Sequence, residues 1–147
     1  VEASIASLMN FKGVKRRLEF KGEYNNIKIF DDFAHHPTAI KLTADALSKN
    51  FNNKRIFGIV ELGSNTMSGG FHGDDIFEAS NALAKTIWVD HKHNVINESY
   101  KNEIFDTLDG AIKFTKSCIE QYDIILIMTN KDSSKIYNPL IAHLEKN

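Results

Sequence analysis

The sequence predicts an α/β fold: a mostly parallel sheet with helices on both faces, opened by an antiparallel strand pair. Two short, nearly continuous apolar runs, at residues 55–62 and 123–128, are typical of strands that are buried on both faces of a parallel sheet. Segments with helical periodicity separate such runs. Strands that alternate with helices indicate a parallel sheet joined by crossovers.

The first third of the chain predicts a helical tail, a hairpin and a helix. Residues 2–10 have helical character, and alternating apolar and polar residues predict strands at 18–24 and 27–33. The Asn-Asn pair between the two strands favours a tight turn. Pro37 is a favourable first helical residue, and apolar residues at helical spacing continue to about residue 50.

The remaining elements alternate between strand and helix. Strands are expected at 55–62, 86–90 and 123–128, and helices at about 74–85, 109–121 and 133–146, whereas 91–104 has no clear pattern. Parallel strands place the loops that follow them at one carboxyl edge of the sheet, where open α/β folds bind ligands. The loops expected there are 31–37, 61–73, 90–93 and 129–134.

Composition excludes several classes of protein. The chain has 147 residues, which suits one domain with a sizeable core, and its net charge of −1 argues against a nucleic-acid or anionic-membrane partner. No apolar run approaches the roughly 20 residues that span a bilayer. The single cysteine, Cys118, has no internal disulfide partner, which suits a reducing compartment. We therefore expect a soluble, cytoplasmic protein.

The run IFDDFAHHPTAI, residues 29–40, holds the main candidate site residues. Asp32 is placed to accept hydrogen bonds from a ribose, and it could also cap the helix that follows, since the two roles are not exclusive. Phe33 is suited to stack on a base, although a phenylalanine at a strand end more often belongs to the core. His35 and His36 can bind a carboxylate or transfer a proton, and their adjacent positions predict that the two imidazoles diverge.

The other polar groups give weaker indications of function than residues 29–40. The histidines and acids of these loops match no standard metal-ligand spacing, so no metal site is expected. The cluster Lys15-Arg16-Arg17 is either a solvated surface or a clamp for phosphate. The pattern G-x-x-x-x-G-K-[ST] is absent, so the chain is not expected to cradle a triphosphate alone.

Three motifs resemble the Mur ligases, which build the peptide of bacterial peptidoglycan: FKGVKRRLEFKGE (11–23), IFDDFAHHPTAI, and SNTM (64–67). The resemblance extends over nearly the whole chain in strand order. It implies that residues 14–147 form a Rossmann-like C-terminal domain. Residues 1–13 would then be a linker or helical tail from a preceding central domain.

The resemblance also implies an activity. In the best-matching branch of the family, ATP converts the carboxylate of UDP-N-acetylmuramate to an acyl phosphate, which the amine of the L-Ala-γ-D-Glu-meso-diaminopimelate tripeptide then attacks, in peptidoglycan recycling. ATP and Mg²⁺ would be bound mainly by the central domain. The branch that adds L-alanine is the alternative. The isolated chain is expected to be inactive, because two further domains carry the P-loop and the UDP-sugar site.

The resemblance assigns roles to individual residues. Arg17 would reach nucleotide phosphate, Asp32 would hold the ribose, and Phe33 would lie beside the adenine. The positions that would face the incoming amino acid or peptide are His35, His36, Ser64, Asn65 and Thr66.

The sequence departs from the family pattern at Gly63, where recycling ligases usually have an arginine that meets a substrate carboxylate. Lys131, in a loop that lacks the family's usual glycines, is a candidate replacement for that arginine.

Two alternatives belong to other classes. A phospho-receiver domain would use an acidic pocket of the kind that Asp31, Asp32 and Lys131 loosely resemble. However, the strand at 55–62 ends without the phospho-accepting aspartate, and the opening hairpin is foreign to that fold. A peptide-binding domain that has lost its ATPase is the second alternative.

Overall fold

The computed structural model describes residues 17–62, 78–91 and 104–146, which form one six-stranded sheet with helices on both faces. The strands are β1 (Glu19–Tyr24), β2 (Ile27–Asp32), β3 (Ile56–Glu61), β4 (Lys85–Val89), β5 (Ile104–Phe105) and β6 (Ile124–Met128). The helices are α1 (Pro37–Asn50), α2 (Leu108–Cys118) and α3 (Ser134–Glu145), with a 3₁₀ turn at Ile119–Gln121. The predicted fold class is confirmed.

The spatial order of the strands is β1-β2-β6-β3-β4-β5, so the last strand of the chain lies inside the sheet. Strand β1 pairs antiparallel with β2, and the other pairs are parallel. In register, Leu126 of β6 lies opposite Phe30 on one side and Gly58 on the other. Strands β2 and β3 therefore meet only through β6.

The β1–β2 hairpin forms because its residues adopt the backbone angles that the turn requires. Asn25 and Asn26 have φ angles of 55° and 67°, the left-handed values that asparagine tolerates and that tight hairpin turns use. Gly22 has a φ of 121° at a register shift in β1, and a Cβ there would lie 2.6 Å from the Tyr24 hydroxyl. Glycine is therefore required at this bulge.

Strand alternation divides the core between the two faces of the sheet. On one face, α1 packs Ile40, Ala44 and Leu47 against strand residues that include Phe30 and Leu126. On the other face, α2 and α3 cover strand residues of the opposite parity, including Ile29, Ile59, Ile87, Ile125 and Ile127. The central strands are thus buried on both sides, as their continuous apolar runs predict.

Some expected boundaries are wrong. The helix expected to run from 74 to 85 ends at Glu78, and turns follow, closed by Asn81 N–H to Glu78 and by Leu83 N–H to Ser80. The reason is sheet pairing: the Ala84 N–H donates to the Ile56 carbonyl at 3.0 Å, and β4 begins at the next residue.

Two other segments also differ from expectation. Strand β5 begins at residue 104, the last residue of the stretch without a clear pattern, and two residues are too few to show alternation. The expected helix at 109–121 ends as the 3₁₀ turn. The expected tail at 2–10 and the residues 74–77 lie outside the described residues. Within the described ranges, no helix combines the length and apolarity needed to cross a bilayer.

Because β6 lies in the centre of the sheet, a cavity in this strand should lower the free energy of unfolding substantially. Leu126 is 0% exposed, so Leu126→Ala should lower the free energy of unfolding by about 2–5 kcal/mol, measured by urea denaturation. Leu42, which is 58% exposed on α1, provides a matched control: Leu42→Ala should change stability by less than about 0.5 kcal/mol. Equal effects of the two substitutions would contradict the burial of β6.

Candidate functional site at the carboxyl edge of the sheet

The polar residues at the carboxyl ends of the strands are buried rather than solvated. Each of five such residues is 3% exposed or less: Asp31, Asp32, Glu61, Asp90 and Thr129. The chain leaves β3 toward β4 on one side of the sheet. After β6 the chain continues into α3, which extends in the opposite direction, toward β1. There the Lys21 ammonium of β1 lies over the Tyr137 ring of α3. The gap between β3 and β6 is therefore a topological switch point, the usual ligand position in open α/β sheets.

The Asp32 carboxylate joins three segments of the fold. Oδ1 accepts the Leu18 N–H at 2.8 Å, and Oδ2 accepts the Ala34 N–H at 2.9 Å and the Thr43 hydroxyl at 3.1 Å. Leu18 has a φ of 49°, a left-handed value that is costly for leucine, and its bond to Asp32 holds that conformation in place. Asp32 thus fixes the entry to β1 and the packing of α1 against β2.

The alternative role of Asp32 as a helix cap is wrong. The residue that precedes α1 is His36, whose side chain makes no capping hydrogen bond. Asp32 instead reaches Thr43, which lies well inside the helix. Burial raises the pKa of Asp32 above its ordinary value of 3.8, although its hydrogen bonds and the Arg17 guanidinium act in the opposite direction. Contact between Asp32 and a ribose stays a prediction.

Three aromatic rings follow β2 at the surface. Phe33 is 44% exposed, so its assignment to the core is wrong, and its ring lies edge-on to His35 with centroids 5.5 Å apart. The His35 and His36 centroids are only 4.3 Å apart, so the expectation that the two imidazoles diverge is also wrong. Desolvation and the neighbouring His35 lower the pKa of His36, which favours its neutral form near pH 7.

Glu61, at the end of β3, binds residues that follow the two neighbouring strands. The Thr129 hydroxyl donates to Oε1 at 2.8 Å, and His91 Nε2 lies 2.7 Å from Oε2. The Thr129 hydroxyl oxygen in turn accepts the Lys131 N–H at 3.0 Å. Sequence reasoning placed these residues at the edge but did not group them. The available signal was an acid at the end of an otherwise apolar strand.

A third buried carboxylate ties β2 to the start of α3. Asp31 accepts the Ser133 hydroxyl at 2.8 Å, a contact between residues 102 positions apart. In the loop after β6, Asn130 carries a buried Oδ1 that accepts no hydrogen bond within the described part of the chain. An open depression of about 370 Å³ lies beside the first turn of α1, between Thr38 and Asn81.

The remaining predicted site residues fall outside the described ranges. They are Ser64, Asn65 and Thr66, together with Gly63. In residues 17–62, 78–91 and 104–146, no three His, Cys, Asp or Glu side chains come together as metal ligands.

Comparison with known proteins identifies the family of this chain. A family model described as "Mur ligase, glutamate ligase domain" matches residues 16–130, most of the chain. The chain belongs to the Mur ligases. It is 33% identical, over 99% of its length, to the UDP-N-acetylmuramate–L-alanyl-γ-D-glutamyl-meso-2,6-diaminoheptandioate ligase of Haemophilus influenzae. It spans about a third (34%) of that relative.

Solved structures show the same fold. The murein peptide ligase of Psychrobacter arcticus matches 97% of this Mur ligase chain with a TM-score of 0.78 and 33% identity, over 32% of its own length. A domain from Haemophilus ducreyi, whose proposed activity is that of the same ligase, matches 87% of the chain with a TM-score of 0.70 and 28% identity. The match covers 99% of that domain, which was crystallised by itself.

The buried bond between Thr43 and Asp32 predicts a pH-dependent cost in the Mur ligase domain. Thr43→Val keeps the shape of the side chain but removes a donor to a buried carboxylate, so it should cost about 1.5–3 kcal/mol of stability at pH 7. Thr38→Val, at an exposed threonine of the same helix, should cost less than about 0.5 kcal/mol.

The sign of the pH dependence follows from Asp32. Because its folded pKa is raised, ionisation of Asp32 reduces stability as pH rises through that pKa, and Thr43→Val raises the pKa further. Urea denaturation at several pH values should therefore show a smaller cost below pH 3.8, where the carboxyl group is neutral. A cost that is independent of pH would contradict the bond to the ionised form.

Proposed function

We propose that this chain is the C-terminal domain of an ATP-dependent ligase that joins UDP-N-acetylmuramate to the L-Ala-γ-D-Glu-meso-diaminopimelate tripeptide in peptidoglycan recycling. The observation that carries this proposal is the match, over 99% of the chain, to a relative named for this ligation. The branch that adds L-alanine is the second candidate. The similarity to the murein peptide ligase of Psychrobacter arcticus, with 33% identity over 97% of the chain, favours the tripeptide.

The proposed reaction has two steps. ATP phosphorylates the muramoyl carboxylate, and the tripeptide amine attacks the acyl phosphate, so that an amide forms and phosphate leaves through a tetrahedral intermediate. The central domain would supply the P-loop and the main Mg²⁺ site, and another domain would bind the UDP-sugar. Residues 14–147 would close over the nucleotide and present the amine, with residues 1–13 as the connection.

The nucleotide side of the site would comprise Arg17, Asp32 and Phe33. The exposed ring of Phe33 supports base stacking. Arg17 lies close enough to Asp32 to lower its pKa electrostatically, so a guanidinium is present near the end of β2. Asp32 would act chiefly by holding this region in shape, because its oxygens already accept three protein hydrogen bonds.

The peptide side would comprise His35 and His36, with Ser64, Asn65 and Thr66 from the loop after β3. Lys131 is exposed, and its backbone is tied to Thr129, which supports its role as a cation near a substrate carboxylate. We also place the enzyme in the cytoplasm, where a free cysteine such as Cys118 is stable.

The test is ligation by the full-length enzyme that contains this chain. With UDP-N-acetylmuramate and ATP, kcat/KM for the tripeptide should exceed that for L-alanine, measured by phosphate release and by mass of the product. The isolated chain should release no phosphate. Preference for L-alanine would move the protein to the second branch, and inactivity with both amines would refute a ligase function.

Phe33 offers a separate test of the nucleotide side. Phe33→Ala should raise KM for ATP about tenfold, because stacking of one base on an aromatic ring contributes about 1–3 kcal/mol. KM for the tripeptide should change by less than about twofold. Leu42→Ala, at another exposed apolar residue, should leave both KM values unchanged. An equal rise in KM for the tripeptide would place Phe33 on the peptide side instead.

A further inference from the structure

Glu61 lies at the topological switch point and bonds to residues from the loops on both sides of it. It is 2% exposed, and each of its two oxygens meets a residue from a different neighbouring loop: Thr129 after β6 and His91 after β4. A buried carboxylate with two partners of this kind holds their side chains in fixed positions. Glu61 therefore sets the position of the His91 ring relative to the loop after β6.

His91 presents its other ring nitrogen away from Glu61. Nε2 donates to the carboxylate, which only accepts, and the two nitrogens lie on opposite sides of the imidazole. The side chain is 35% exposed, and Nδ1 makes no hydrogen bond to the described residues. A ring with one nitrogen anchored and the other facing outward can contact a ligand with little loss of conformational entropy.

We propose that His91, positioned by Glu61, recognises a carboxylate of the peptide substrate at the end distant from the reacting amine. The inference rests on the proposed function and adds a specificity-determining residue to it. The imidazolium form donates from both nitrogens, Nε2–H to Glu61 and Nδ1–H to the substrate carboxylate. Such charge-assisted hydrogen bonds are the strong ones.

Charge on the same network favours an anionic ligand. The backbone N–H of Lys131, two residues after Thr129, donates to the hydroxyl that binds Glu61, so the same network fixes the backbone of an exposed lysine at this edge. The negative charge of Glu61 is already shared between two donors, His91 and Thr129. Gly63, two residues after Glu61, has no side chain that could supply a donor.

Two tripeptides that differ by one carboxylate test the proposal. L-Ala-γ-D-Glu-L-Lys lacks only the distal carboxylate of the meso-diaminopimelate tripeptide. In the full-length enzyme, the ratio of kcat/KM for the diaminopimelate peptide to kcat/KM for the lysine peptide measures recognition of that group. His91→Gln keeps an N–H for Glu61, but both of its N–H groups lie on one uncharged nitrogen, so it cannot place a charged donor on the far side of the ring and should lower this ratio about tenfold, mainly through KM.

Two further variants separate recognition from structural damage. His91→Arg retains donors for both carboxylates and should keep the ratio within about threefold of wild type. His143→Gln, near the far end of α3, should leave the ratio unchanged. Damage to the fold would lower kcat/KM for both peptides together. An unchanged ratio in His91→Gln would overturn the proposal.

Calorimetry distinguishes failure of this inference from failure of the proposed function. The Haemophilus ducreyi domain was crystallised by itself, which supports binding measurements on the isolated chain. If the enzyme ligates neither peptide, the proposed function fails. Tighter binding of the diaminopimelate peptide to the chain, lost in His91→Gln, would still support carboxylate recognition. Equal binding of both peptides by the wild-type chain would refute it.

Discussion

The position of β6 between β2 and β3 is the constraint on which the rest of the structure depends. Strands β2 and β3 each pair with β6 rather than with each other, and β6 is the last strand along the chain. The hydrophobic cores on both faces and the carboxyl edge form only when β6 pairs with β2, whose residues lie about a hundred positions earlier in the chain. Such non-local pairing closes long loops before it gains contacts, which is costly in entropy. The continuous apolar run of β6, buried on both faces, supplies the compensating free energy.

Burial of three carboxylates at one edge costs stability and fixes geometry. Asp31 binds Ser133 at the start of α3, Asp32 binds the segment before β1 and the interior of α1, and Glu61 binds the loops after β4 and β6. The raised pKa of Asp32 shows that desolvation outweighs its hydrogen bonds. An apolar residue at that position would remove the desolvation cost, but would leave the Leu18 and Ala34 N–H groups without this acceptor.

The strands and the site differ in how far sequence could predict them. The runs that form β3 and β6 were predicted because continuous apolarity is a local property, and the Asn-Asn turn was predicted from its backbone preference. The contact between Glu61 and Thr129 could not be predicted, because it joins residues 68 positions apart and depends on which strand lies beside β3. The close approach of the His35 and His36 rings could not be predicted either, since strand alternation no longer applies after β2 ends.

Thr129 connects the two halves of the edge. Its N–H donates to the Asp32 carbonyl at 3.1 Å, and its hydroxyl donates to Glu61 at 2.8 Å. The end of β2, where the proposed nucleotide residues lie, and the Glu61–His91 pair are therefore held to one buried residue. In the proposed function the amine must be presented accurately, because misplacement of reacting atoms by about 1 Å can cost two orders of magnitude in rate. Because the buried Thr129 bonds to both halves, it fixes the position of the Glu61–His91 pair relative to the end of β2.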